Sequence, residues 1–421
     1  MASFSLFLLF AAVVLGFARG MNPGLVCIAF SLILGRISGL SDKAIIGGFN
    51  YSLFIILLGV TYLFSLAQIN GTLDLLAKKA VALAGKRTWL VPIIIFFFSM
   101  LLSGIGPGTV PVIAIMMVFS MALAAEMKIH PAMLAALVVL GASGGGVSLL
   151  APTGIIGINL CADAGIKGPV PEAFLFNGIL STTAYALVVY IMYKGYSLKS
   201  DKVLKLSQVP PFNLNQWITI GGIVAMVIMV MFCKFNVGLT SFLVAGVLSL
   251  LKVSDEVEAI KKIPWGTLLL IGGVSMLMSI ITKNGGVKLV ADTLASIMTT
   301  GTAIPFISMS AGCLSWVSST SGLVMPTMIP TVPSIVEAMG NVINPLEMVT
   351  ALSMVSHTAG ISPLSTGGSL ALAAYTGMAH CNAEEQSALF LKLFITSAVG
   401  IVFLCLCSYF GLFHIFFIFN P

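Results

Sequence analysis

Charge is what this chain of 421 residues has least of: 8% is Asp, Glu, Lys or Arg against 58% hydrophobic, with a mean hydropathy of +1.10. So little charge cannot cover a water-facing surface, which excludes an ordinary soluble domain. Strict apolar/polar alternation is lacking too, which excludes a β-barrel. Seven cysteines, at 27, 161, 233, 313, 381, 405 and 407, show no metal-ligand or disulfide spacing and read as small buried thiols. No Lys-Ser/Thr follows the glycines at 144–146, so no ATP phosphate loop is present, and neither a hydrolase triad nor a zinc spacing occurs. No Asp or Glu falls in the middle of any predicted span. Cation/proton exchangers usually rely on such an intramembrane carboxylate, so its absence favours a site whose anionic substrate supplies the negative charge. The net charge of +6 calls for no nucleic-acid partner, because Lys and Arg cluster in short loops.

What is present is length without charge. Ala44 to Leu73 carries none, and crossing a bilayer takes roughly 20 apolar residues. The expected class is therefore an all-α polytopic membrane protein surrounded by lipid. The chain also repeats itself at an offset of about 214 residues. Gly59-Val60-Thr61 returns as Gly273-Val274-Ser275, Asn70-Gly71 as Asn284-Gly285, and His130-Pro131 as Asn344-Pro345. Gly144–Gly154 returns as Thr358–Gly368. The opening run Met1–Phe17 maps onto the helix starting near Ile218 and lacks a basic leader, so it is expected to be a retained span.

Each repeat reads as the same parts. Spans at 3–18, 24–34 and 45–69 correspond to 217–233, 237–251 and 265–282, and amphipathic stretches follow at 72–85 and 287–300. Next, 88–125 is interrupted at Ser103-Gly104-Ile105-Gly106-Pro107-Gly108, leaving arms of about 16 residues, short for a full crossing. A re-entrant hairpin is expected there, and another at 303–336 with its tip at Ser318–Gly322. The stretch 131–161 should be a broken helix, unwound at Gly141–Gly146, and 345–378 its counterpart, broken between Ser356 and Gly368. Final spans lie at 171–193 and 386–410.

Counting no crossing for a hairpin leaves five transmembrane helices per half. An odd count makes the halves, 1–195 and 216–421 joined by a cytoplasmic linker at 196–215, two inverted repeats. Fourteen of the twenty Lys and Arg fall on one side, among them Lys78, Lys86, Lys128, Lys202, Lys205 and Lys392, and six on the other. The positive-inside rule then makes the rich side cytoplasmic and both termini external, in a multi-pass inner-membrane protein.

Broken helices offer free N–H groups to an anion and free carbonyls to a cation. The tips add Ser103, Ser318, Ser319 and Thr320, and the breaks add Ser143, Ser148, Thr153, Thr358, Ser362, Ser365 and Thr366. Any one of these hydroxyls suits helix packing as well as ligation. The four duplicated breaks together favour ligation, because packing does not require breaking helices. His357 is the only ionisable side chain deep in a predicted break, a candidate to donate to a carboxylate or accept a coupled proton. A neutral histidine held by a hydrogen bond is the competing role. His130, Asp163, Glu337 and Glu347 are expected at helix ends, facing interface or loops.

The run Ser103-Gly104-Ile105-Gly106-Pro107-Gly108-Thr109-Val110-Pro111, with Gly141–Thr153, resembles the MatC-type malonate and dicarboxylate carriers of the ion transporter superfamily. The resemblance spans nearly the whole chain and is most specific between Gly35 and Gly157. Related divalent anion/sodium symporters carry Ser-Asn-Thr at both tips. Here the second reads Ser318-Ser319-Thr320, while the first, Ser103-Gly104-Ile105, keeps only the serine. The resemblance implies a homodimer, an elevator-like movement, and a small organic dianion (malonate or a C4-dicarboxylate) held between the tips. The expected substrate contacts are Ser103, Gly104, Ser318, Ser319 and Thr320, joined by Thr153, His357 and Thr366. It also implies Na⁺ between each tip and its break, which assigns cation contacts to Ser103, Ser143, Gly145 and Ser148, and to Ser318, Thr358 and Ser362. Na⁺ or H⁺ is the coupling ion, and no other cofactor is expected. The alternatives are a cation/proton antiporter or another anion permease on the same fold. An enzyme is the least favoured reading.

Overall fold

The computed structural model describes the chain apart from residues 86, 200–206, 208, 317, 380–382 and 420–421. Lys86, Lys202, Lys205, Cys381 and much of the expected linker therefore lie outside the described residues. The first half runs α1 (Ala2–Arg19), α2 (Pro23–Ile37), α3 (Asp42–Ile46), α4 (Tyr51–Ile69) and α5 (Thr72–Ala82). It continues with α6 (Leu90–Gly104), α7 (Thr109–Met127), α8 (Pro131–Gly146), α9 (Pro152–Asp163) and α10 (Val170–Met192). The second half opens with α11 (Leu214–Met231), α12 (Val237–Leu250), α13 (Glu256–Lys262), α14 (Trp265–Lys283), α15 (Gly286–Ala295) and α16 (Ala303–Trp316). A π-type turn, Thr320–Val324, leads into α17 (Met325–Met328) and α18 (Val332–Ala338), then α19 (Pro345–Thr358) and α20 (Thr366–Ala379). The long α21 (Ala383–Tyr409) and the short α22 (Ile415–Phe419) close it. Among the described residues six helices are long and apolar enough to cross a membrane: α4, α7, α10, α11, α14 and α21.

Matched residues build matched elements. Asn22 and Asn236 cap α2 and α12 by accepting from the N–H of Gly24 (2.8 Å) and Gly238 (3.0 Å). Gly71 and Gly285 open α5 and α15 in the left-handed region, at φ 75° and 76°, where a side chain would be strained. The halves also pack reciprocally: α2 lies against α14, and α12 against α4. A Cβ on Gly273 would stand 2.0 Å from the Gly24 carbonyl oxygen, and one on Gly59 2.3 Å from that of Gly238. Two equivalent close crossings of bare backbone therefore join the halves, as small residues allow in membranes.

The broken helices occupy the centre. Every residue from Ala132 to Gly146 in α8 and from Leu346 to Thr358 in α19 is buried, so neither helix has a lipid face. Four expectations about this region need correction. Gly141–Gly146 does not unwind; α8 stays helical to Gly146, and the break is Val147–Ala151. Those glycines admit neighbours instead: a Cβ on Gly141 would meet the Phe96 carbonyl oxygen at 2.2 Å, and one on Gly145 the Met100 oxygen at 1.8 Å. His357 and Thr358 likewise belong to the last turn of α19, ahead of the break, and Thr366 opens α20. The span expected at 45–69 is itself interrupted, at Gly47–Asn50, where Asn50 caps α4. Finally, α7 has 19 residues and could cross by length, so short arms alone do not make the first hairpin re-entrant.

Candidate functional site

Two similar sites form where each tip meets its break. In the first half, α6 ends at Gly104 and α7 begins at Thr109, with Gly106 (φ 143°) and Gly108 (φ 80°) turning the chain in conformations that glycine tolerates. The Ser148 hydroxyl donates to the Gly104 carbonyl at 2.5 Å and accepts from the Leu150 N–H at 3.3 Å. Thr109 Oγ1 lies 3.3 Å from Thr153 Oγ1 and reaches the Ala142 carbonyl at 3.5 Å. A Cβ on Gly146 would sit 2.3 Å from Thr109 Oγ1 and 2.9 Å from Ser103 Oγ, so this glycine keeps the hydroxyls apposed. Ser103 and Ser143 are 0% and 1% exposed, and neither hydroxyl has a hydrogen-bond partner. Leaving a buried hydroxyl unpaired costs about 1–3 kcal/mol; Ser99, Ser120, Ser308 and Ser353 share this state, and beside the first tip the open hydroxyls are of the type a ligand seeking oxygen donors can use. Na⁺, an oxygen-seeking ion, fits Ser103, Ser143, Ser148 and the carbonyls around Gly145 in type.

The second site uses more side chains. The Ser319 hydroxyl accepts from the Gly322 N–H at 3.1 Å and so caps the π-type turn. Thr320 Oγ1 lies 2.7 Å from Ser315 Oγ and donates to the Ser356 carbonyl at 3.0 Å. Ser356 is the repeat equivalent of Ala142, so both tips tie a threonine hydroxyl to the same carbonyl from different sequence positions. Ser318 Oγ donates back to the Leu314 carbonyl at 2.6 Å. In the break, Ser362 Oγ accepts from the Leu364 N–H at 3.2 Å, as Ser148 does from Leu150. The Thr358 hydroxyl turns back to the Met354 carbonyl (3.1 Å). Tip and break enclose a cavity of about 240 Å³ lined by Ser318, Ser319, Leu323, Leu364, Ser365 and Thr366, with Pro23 and Leu270 closing it from α2 and α14. Among the described residues no charged side chain lines it.

The candidate substrate residues thus divide. Ser318, Ser319 and Thr366 meet around the cavity, and Thr320 fastens the tip behind it. Ser103, Gly104 and Thr153 belong to the first-half site. His357 is buried but does not line the cavity. Its Nδ1 lies 2.7 Å from the Ser353 carbonyl, an oxygen that only an N–H can satisfy, so the neutral ring carries its proton there. Glu347, expected to face a loop, is buried and receives the His414 ring nitrogen at 3.0 Å. Sequence reasoning passed over Thr109, Ser315, Pro23 and Leu270. A hydroxyl directly after Gly108 was a usable signal for Thr109, whereas Pro23 and Leu270 reach the cavity only through tertiary packing.

Two solved membrane transporters share this architecture. The Alcanivorax borkumensis YdaH transporter superimposes with a TM-score of 0.62 over 93% of this chain and 99% of its own, at 13% identity. Neisseria gonorrhoeae MtrF, described within a class of antimetabolite efflux pumps, gives 0.60 over 90% and 83%, also at 13%. At that identity the likeness is one of fold. No curated protein matches the sequence. The chain thus shares the fold of two membrane transporters and carries helices long and apolar enough to cross a membrane. More particularly, residues 2–146 match the family described as the dicarboxylate carrier protein MatC N-terminus, which bears out over that stretch the resemblance carried by the first tip.

Proposed function

We propose that the protein is a secondary active carrier for a small organic dianion, malonate or a C4-dicarboxylate, driven by Na⁺ or H⁺ across the cytoplasmic membrane. The observation that carries this reading is the uncharged, hydroxyl-lined cavity of about 240 Å³ between the second tip and its break, in a chain whose N-terminal third matches a dicarboxylate carrier family. Hydroxyls bind carboxylate oxygens without a fixed cation, so a co-transported cation is needed to offset the dianion. The first-half site, with its unpaired Ser103 and Ser143 hydroxyls, is the natural seat for that cation. The dianion then rests mainly on the second tip.

The halves are inverted in this reading. Lys392, in the first part of α21, meets His130 at the start of α8 (3.0 Å). His414, beyond the far end of α21, meets Glu347 in the first turn of α19 (3.0 Å). A 27-residue helix is about 40 Å long, so α8 and α19 start from opposite ends of it. Both hairpins with their broken helices would move as one body, elevator-like, against the scaffold of α2, α4, α12 and α14, which the paired glycine crossings hold together.

Replacing Ser318 by Ala should lower saturable dicarboxylate uptake by proteoliposomes at least several-fold while thermal stability in detergent is kept. Wild-type uptake in that variant would contradict the placement of the substrate.

A further inference from the structure

A second cavity, of about 710 Å³, lies on the other side of the same tip. Leu270 and Leu323 face the small cavity, whereas Ile271 and Pro326 face the large one. The tip packs closely on α14 there: a Cβ on Gly322 would stand 2.7 Å from Leu270 Cδ2. From there the large cavity follows one face of α14 along Ser275, Ser279 and Lys283. These residues stand four apart, one helical turn each. The cavity ends where α9 and α14 end, at Asp163 and Lys283, the two charged residues in its lining.

The two charges are not equivalent. The Asp163 carboxylate accepts from Asn50 Nδ2 at 3.0 Å, and Asn50 is itself held by its N–H to Ser275 Oγ (3.2 Å) and by capping α4. Lys283 is exposed and makes no ion pair among the described residues. A mobile ammonium at the mouth of a cavity attracts anions, while a tethered carboxylate opposite repels them.

Building on the carrier reading, we propose that the large cavity is an anteroom for the anionic substrate, in which Lys283 gathers carboxylates ahead of the tip pocket and Asp163 sets the ceiling on their affinity. A lysine at a helix C-terminus also serves the helix dipole. That role would alter stability alone, without a preference for the sign of a passing ion.

The test places a thiol by Ser279→Cys, one turn before Lys283, in the purified full-length protein. Its modification by a sulfonate-bearing and a trimethylammonium-bearing methanethiosulfonate is followed by peptide mass, each rate referred to that of a free thiol. The anionic reagent should be favoured about three- to fivefold. Lys283→Gln should abolish the preference, Lys283→Arg should keep it, and Asp163→Asn should raise it. Equal rates, or a preference for the cationic reagent, in the protein retaining Lys283 would overturn the anteroom. In vesicles, Lys283→Gln should raise KM for the dicarboxylate about threefold with the maximal rate held. A KM unchanged by Lys283→Gln, in a protein that transports, would also overturn it. Failure of the unmodified protein to take up any dicarboxylate counts against the carrier reading instead, since the labelling preference does not depend on transport.

Discussion

Gly145 and Gly246 show how differently one residue type is used in this chain. A Cβ on Gly145 would overlap the Met100 carbonyl oxygen at 1.8 Å, whereas one on Gly246 meets nothing within 4 Å. Gly145→Ala should therefore cost about 1–3 kcal/mol through overpacking. Gly246→Ala should gain up to about 1 kcal/mol, the usual helix preference for alanine. Denaturation in a fixed detergent separates the two; equal effects would contradict the packing described. The sequence alone could not separate them, because a glycine run looks the same whether it unwinds a helix or admits a neighbour. His130 makes a second residue-scale case. Burial, and then the Lys392 ammonium, hold its imidazole down to about 4, below the ordinary value of 6.5. The unfolded chain thus binds the proton more readily, so stability present above pH 6.5 should be lost as pH falls toward 4. His130→Asn, which installs the residue found at the matching position 344, should flatten that dependence. A melting temperature that falls as steeply in the variant would assign the effect elsewhere.

At the scale of elements, the sequence showed where the chain breaks better than why. The helices part at 105–108 and 147–151, and again before Thr320 and Thr366, close to the Ser/Gly motifs, since Pro and Gly punctuation is local. The interruption at Gly47–Asn50 was missed because a charge-free run reads as one span, and only the capping side chain of Asn50 divides it. The division of the candidate residues between two sites was equally hidden, as it depends on which tip folds onto which break. Those two joints are unequal. Ser148 ties its break to the first tip as well as capping it, whereas among the described residues Ser362 makes the cap alone. Ser148→Ala should thus destabilise by about 1 kcal/mol more than Ser362→Ala. Equal losses would show that the Gly104 contact contributes nothing.

For the whole molecule, reciprocal packing of α2 on α14 and α12 on α4 makes the duplication a structural pseudo-symmetry. The opposite starts of α8 and α19 along α21 are what the proposed inversion requires. A cysteine at Ser197, after α10, should be labelled from the cytoplasmic face, and one at Asn341, before α19, from the external face. Labelling of both from one side would remove the inverted arrangement. The central claim is that an uncharged pocket carries a dianion with a coupled cation. Its most direct test is uptake by proteoliposomes across a panel of carboxylates, with Na⁺ and pH gradients imposed separately. Saturable uptake of a C3 or C4 dicarboxylate, driven by one of the two gradients and weakened by Ser318→Ala, is the predicted result. Cation-driven proton movement without any carboxylate, or flux that no dicarboxylate saturates, would contradict it.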